Sequence, residues 1–313
     1  MKQFSEEDRM LQFPVFQLSG GTAVERACCV ETIEKDPRFR HLATIVVTEN
    51  KCLRHELCLL SRRFDAVIVD GLVDFPLLQI HVGRENSSLK GAILFWDDKE
   101  HGLDLFCESL LRKIDLLKQK VPIWACILIG GKSSRMGRPK HLLPGIDGRK
   151  ESWLERTIGQ IEPLVEQVVV SGKGELPESL ATVPRIPDIP GVAGPLTGVL
   201  SAMRWQPDVS WLVIACDMPF VSAEAAQWLL SMVKPGCWGN LPRLKDGDFC
   251  EPLFAWYDSR AGHLLEEQLL TGNLRVGKIA SHHKIDNPLI PDIFASSWQN
   301  VNTPEQLQSV QLS

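Results

Sequence analysis

The chain has 313 residues, more than the roughly 100–200 of an ordinary single domain, so two domains are the first expectation. Its 44% hydrophobic and 23% charged content is that of a globular protein able to bury a core, and with a net charge of −5 and scattered Lys and Arg it lacks the basic stripe that a polynucleotide partner requires. No apolar run approaches the ~20 residues of a membrane span, and the polar, acidic start MKQFSEEDRM has no secretory pattern, so a cytoplasmic protein without nucleic acid or membrane partners is expected.

Nine cysteines, an odd number without framework or paired CxxC spacing, fit reduced thiols and give no sign of a structural metal. Along the chain, Phe13–Leu18, Leu42–Val47, Asp65–Gly71 and Ile80–Val82 read as strands of a smaller α/β unit. Leu103–Lys120 repeats apolar residues at helical spacing and stops before Val121-Pro122, because proline biases its predecessor away from helix. This predicts domains over 1–120 and 121–313. In the second, strand-like runs at Ile123–Ile129, Gln167–Ser171, Trp211–Cys216 and Pro252–Trp256 alternate with helix-like runs at Ser152–Ile161, Leu196–Trp205, Ala223–Val233 and Ser259–Leu270. Such alternation predicts an α/β fold, a Rossmann-like, parallel, doubly wound sheet. Ligands then sit beyond the carboxyl ends of the strands. A last helix should start at Thr303-Pro304, with Thr as cap and Pro in the first turn.

The strand at 123–129 runs into Gly130-Gly131-Lys132-Ser133-Ser134-Arg135-Met136-Gly137-Arg138-Pro139-Lys140. Successive glycines let backbone N–H groups approach phosphates closely, and Lys and Arg neutralise the added charge. The string resembles the GGxSxRMGxxK-type signature of the short-loop nucleotidyltransferases, the group that contains molybdenum cofactor guanylyltransferase and related enzymes using CTP. Further matching motifs follow in the family's order: Asp188, Gly194-Pro195-Leu196-Thr197-Gly198, Cys216-Asp217-Met218-Pro219-Phe220, Glu251-Pro252-Leu253 and Asn300-Val301-Asn302-Thr303-Pro304. Together they cover the second domain.

The resemblance implies transfer of GMP from GTP to molybdopterin, with magnesium as cofactor and release of pyrophosphate. It further implies that Leu128, Ile129, Gly130 and Gly131 contact the nucleotide, that Lys140 and Arg135 act on its phosphates, and that Asp188 helps bind it. Asp217 takes the place of the magnesium ligand, and Asn300, Asn302 and Arg275 that of residues lining the active site or touching the acceptor. One departure lies after the second strand. Many members carry a nucleotide-contacting asparagine there, where this chain reads Val170-Ser171-Gly172-Lys173.

The residue types suit the reaction. Attack of an acceptor phosphate on the α-phosphorus brings anions together and builds charge on the departing pyrophosphate, so charge neutralisation and positioning carry the catalysis. Magnesium takes one or two carboxylates plus substrate phosphates, and Lys132 would add a cation beside Lys140 and Arg135. A phosphate monoester is already ionised at neutral pH, so no tuned base is needed. Asp217 read alone could cap a turn, Gly194-Pro195 could simply open a helix, and Arg275 could be a solvated arginine. Adjacent His282 and His283 would point to opposite faces of a strand, which argues against a metal pair.

In the first domain, Asp65–Gly71 followed by Pro76–Ile80 resembles the later part of the GTP-binding adaptor domain often fused to these guanylyltransferases. Where that adaptor has a phosphate loop ending in Gly-Lys-Thr, this chain has Leu18-Ser19-Gly20-Gly21-Thr22-Ala23, without the lysine. A degenerate module is expected, either structural or docking cofactor-biosynthesis or client proteins. Two rival functions stay open: nucleotidyl transfer from CTP or to another phosphorylated acceptor, and non-enzymatic carriage of the cofactor. The loop lacks the RLxP continuation of sugar-phosphate enzymes, and a carrier has no need of the Lys140 and Asp217 positions.

Overall fold

The structure is a computed structural model that describes residues 14–39, 42–46, 54–61, 63–71, 73, 75–83, 92–97, 103–118, 120–130, 139–145, 150–234, 236–245, 247 and 249–311. The chain divides into two compact units, Met1–Val121 and Pro122–Ser313. Among the described residues, no helix is long and apolar enough to cross a membrane, and Cys28, Cys29, Cys107, Cys126, Cys216, Cys237 and Cys250 are free thiols.

Unit 1 contains β1 (Val15–Gly20), α1 (Ala23–Lys35), β2 (Leu42–Val46), α2 (Arg54–Ser61), β3 (Ala66–Asp70), β4 (Leu78–Val82), β5 (Ala92–Trp96) and α3 (Leu103–Lys118). The strands form one sheet in the order β2-β3-β1-β4-β5, and every pairing is parallel. Alternate residues of β1 and β3 go to opposite faces, as a pleated strand requires. Phe16, Leu18 and Ile68 pack with Cys29 and Ile33 of α1 and with Leu110 and Ile114 of α3, whereas Val15, Val67 and Val69 pack with Leu57 of α2. Helix α1 escaped the sequence reading because Cys29 and Ile33 alone are fully buried in it, with Val30 half-buried against the same core and most other positions exposed. A capping box sets its start: Glu25 N–H donates to Thr22 Oγ1 at 3.2 Å and Thr22 N–H to Glu25 Oε2 at 2.7 Å.

Unit 2 contains β6 (Ile123–Leu128), α4 (Trp153–Ile161), β7 (Gln167–Ser171), β8 (Arg185–Ile186), α5 (Pro195–Trp205), β9 (Ser210–Ala215), α6 (Ala223–Ser231), β10 (Gly239–Asn240), β11 (Phe254–Tyr257), α7 (Ala261–Leu270), β12 (Ile285–Asp286) and α8 (Pro304–Gln311). The seven-stranded sheet runs β12-β10-β11-β9-β6-β7-β8. Its two faces build two cores. Cys126, Val169, Trp211 and Val213 pack with Leu200 of α5 and Leu265 of α7, while Ile127, Val170, Leu212 and Ile214 pack with Leu154 of α4 and Leu229 of α6. Helices on both faces make the sheet doubly wound, as the alternation predicted.

The sheet has one antiparallel strand, because β11 pairs antiparallel with both β9 and β10. A parallel return requires a crossover of a dozen or more residues, usually helical. Between β10 and β11 the described residues form no helix, and Arg243 bridges Cys250 in antiparallel fashion. The chain therefore comes back beside itself.

The carboxyl-terminal segment is pinned to this sheet by Trp298, 1% exposed. Its ring stacks on Phe254 with centroids 4.4 Å apart, and its indole N–H donates to the Phe254 carbonyl at 2.9 Å. Trp298→Ala should cost about 3–5 kcal/mol, the usual penalty for deleting a buried indole. Urea unfolding followed by far-ultraviolet circular dichroism checks this; a midpoint unchanged from the parent would show that the segment contributes nothing to stability.

Candidate active site

At the carboxyl ends of β6, β7 and β9 lies a cleft of about 590 Å³, whose lining includes Leu128, Ile129, Gly130, Lys140, Asp188, Asp217 and Asn302. The backbone explains why these ends coincide. Ile129 N–H donates to the Ser171 carbonyl at 2.8 Å and Cys216 N–H to the Leu128 carbonyl at 3.0 Å, so the exits of the three parallel strands are laced together. Asp217 follows directly and turns its carboxylate, 27% exposed, toward the opening.

Lys140 reaches the same place from a single 3-10 turn, Lys140–Leu142. Its Nζ lies 2.6 Å from Asn302 Oδ1 and 3.4 Å from Asp217 Oδ2, with the lysine side chain 14% exposed. Asn302 is held for this contact from two sides. Val301 N–H donates to the Asp217 carbonyl at 2.9 Å, and the Asn302 N–H donates to Gln306 Oε1 at 2.6 Å. Gln306 N–H in turn donates to Thr303 Oγ1 at 3.3 Å, so the cap that starts α8 also orients the asparagine.

Burial pushes the Cys216 thiol up to about 12, so it stays protonated beside Asp217 and is no thiolate nucleophile. Burial also pulls His141 below the ordinary imidazole value, against the opposing effect of its hydrogen bond to the Glu175 carbonyl. The ring next to Lys140 is therefore neutral at neutral pH.

Not every candidate reaches the cleft. Asn300 is exposed and absent from its lining, and so is Arg275, whose N–H bonds to Asn273 Oδ1 at 3.1 Å at the entry to a 3-10 helix. Gly131, Lys132 and Arg135 lie outside the described residues. The two histidines do not point to opposite faces of a strand. His282 and His283 are in a turn instead of a strand, and their rings lie 4.4 Å apart, with His282 stacked on Trp238 at 5.7 Å. Among the described residues, no group of three or more His, Cys, Asp or Glu side chains is placed to hold a metal.

The cleft also contains groups that sequence reading left unassigned: Ser171, Lys173, Val192, Thr197 and Leu253. Ser171, 1% exposed, has a buried hydroxyl with no hydrogen-bond partner among the described residues. The signal for Ser171 and Lys173 was available, since both stand at the carboxyl end of a parallel strand, where doubly wound sheets place ligands. Gly172 between them takes φ +118°, and a Cβ there would lie 1.5 Å from the Ile129 carbonyl oxygen. Glycine alone lets the chain turn out of β7 so close to β6.

Residues 125–284 match the family described as the MobA-like NTP transferase domain. A probable molybdenum cofactor guanylyltransferase of Pelotomaculum thermopropionicum is 32% identical over 187 residues, which is 58% of this chain and 88% of that protein. The molybdenum cofactor guanylyltransferase of Rhizobium meliloti is 33% identical over 200 residues, covering 60% of this chain and 89% of the relative. Among solved structures, the molybdopterin-guanine dinucleotide biosynthesis protein A of Archaeoglobus fulgidus superposes with a TM-score of 0.51 at 26% identity, over 60% of this chain and 97% of its own. With a nucleotide-sized cleft at the strand ends and a family match spanning half its length, the chain belongs to the MobA-like NTP transferases.

Proposed function

We propose that unit 2 transfers GMP from GTP to the terminal phosphate of molybdopterin, releasing pyrophosphate, with magnesium as the metal. The observation that carries this is the meeting of Lys140, Asp217 and Asn302 at the mouth of β6 and β9. The names of the two guanylyltransferase relatives support the donor and acceptor. An ammonium has three donors; Asn302 and Asp217 engage two, which leaves one for a phosphate oxygen. Lys173 would bring a second cation from the end of β7, and Asp188 would receive a hydroxyl of the ribose.

The metal fits the donors present. Asp217 offers a partly exposed carboxylate and Asn302 an amide oxygen beside it, the hard oxygen ligands that magnesium prefers alongside substrate phosphates. When bound, it would neutralise charge on the phosphoryl oxygens and on the pyrophosphate. The chain's own residues align the phosphates, and the acceptor, ionised at neutral pH, needs no base. A carrier that performs no transfer would have no need of a metal-bound triphosphate in this cleft.

Unit 1 is proposed to be an adaptor-like docking module for cofactor-biosynthesis or client proteins that does not hydrolyse nucleotide. Its Gly20-Gly21 turn gives both carbonyls to Arg26 Nη1, at 3.2 and 3.1 Å, while Arg26 Nε pairs with Asp70 at 2.6 Å.

Each of the four nucleoside triphosphates, given with magnesium and molybdopterin, should be compared by pyrophosphate release, with GTP expected to lead. Asp217→Asn should lower kcat/KM by about 10²–10³, the range found on removing one preorganised electrostatic contact, with an unchanged circular dichroism spectrum. Near-parental turnover would remove the carboxylate from the metal site. Ser171→Ala should raise the KM for GTP roughly three- to tenfold, as the loss of one hydrogen bond of about 0.5–1.5 kcal/mol implies. An unaltered KM would show that the hydroxyl does not meet the nucleotide.

A further inference from the structure

Lys140 is presented from one 3-10 turn, a structure too short to fix its own orientation. Two neighbours fix it. On one side Leu143, 2% exposed, packs with Trp153 and Val301, and Trp153 N–H donates to the Leu143 carbonyl at 2.9 Å. On the other is His141, 3% exposed, with Nε2 2.9 Å from the Glu175 carbonyl oxygen. A carbonyl only accepts, so Nε2 carries the proton of the neutral ring. The ring lies on Gly174, where a Cβ would come within 2.8 Å of His141 Cε1.

Residues 172–175 form the loop that leaves β7, and its Gly172 and Lys173 line the cleft. Its base is fixed by Arg185, whose Nε donates to the Gly172 carbonyl at 3.0 Å. Its far end is tied by the His141 bond to Glu175. One imidazole thus joins the turn bearing Lys140 to the loop bearing Lys173, although 34 residues separate His141 from Glu175. We propose that His141 is a positioning residue for the nucleotide: its bond to Glu175 and its contact with Gly174 set the spacing of the Lys140 and Lys173 ammonium groups across the cleft. The histidine touches no substrate. This rests on the nucleotide reading of the cleft given above.

The test uses the full chain, magnesium and a fluorescent GTP analogue labelled on the ribose, with steady-state turnover beside it. His141→Leu fills similar space without a donor, and should weaken analogue binding and raise the KM for GTP about tenfold while kcat moves less than about twofold. His141→Gln returns an N–H at similar reach and should recover to within about threefold of the parent. Gly174→Ala, which crowds the ring from the loop side, should reproduce the KM change if His141→Leu does not fold. Because the effect runs through Lys173, His141→Leu and Lys173→Met should combine to less than the product of their separate losses, by at least about threefold. Independent multiplication of the two losses overturns the proposal. So does a fall in melting temperature with KM unchanged, or equal damage from His141→Leu and His141→Gln. Failure of the unmodified chain to bind both the analogue and unlabelled GTP would instead remove the nucleotide reading, and this proposal with it.

Discussion

One ammonium group ties unit 2's cleft together. Lys140 Nζ meets Asp217 from 77 residues away and Asn302 from 162 residues away. A mostly buried cation is costly unless paired and hydrogen-bonded. The fold meets that requirement by bringing the exit of β9 and the cap of α8 to the same lysine. Main-chain bonds do the placing, since Val301 N–H is held by the Asp217 carbonyl and Cys216 N–H by the Leu128 carbonyl. The side chains are the visible part of a backbone arrangement.

The same logic explains why strand ends, not strand interiors, were readable as chemistry. Strands β6, β7 and β9 appear in the sequence as uninterrupted apolar runs because both faces of each are covered, by the α5 and α7 core on one side and the α4 and α6 core on the other. The polar residue that ends such a run marks the edge of the sheet, and Asp217 is one. The short strands β8, β10 and β12, two residues each, carry no such run and gave no signal. The antiparallel course of β11 was equally hidden, because its direction is decided by the helix-free connection from β10 and not by its own composition.

Within the cleft, what sequence could expose depended on how a residue earns its place. Lys140, Asp188, Asp217 and Asn302 stand in motifs and line the cleft. Arg275 also stands in a motif-like string, yet its position depends on a 3-10 entry that faces solvent. Ser171 and His141 show the converse. Each is an ordinary polar residue in sequence, and only tertiary packing buries one hydroxyl without a partner and seats one imidazole against Gly174. Burial gives such groups their meaning, and burial is not a local property.

Charge supplies a last constraint on how unit 2 must work. Among the described ionisable side chains lining the cleft, the two ammonium groups of Lys140 and Lys173 are matched by the two carboxylates of Asp188 and Asp217. A triphosphate entering alone would bring several negative charges into a cleft that offers no net compensation, at a low effective dielectric where that imbalance is expensive. On the proposed reading, cations that arrive with the nucleotide would meet that deficit. A divalent ion held at Asp217 would be one such cation. Because the described lining is neutral by itself, the metal on that reading would favour binding of the triphosphate as well as its chemistry.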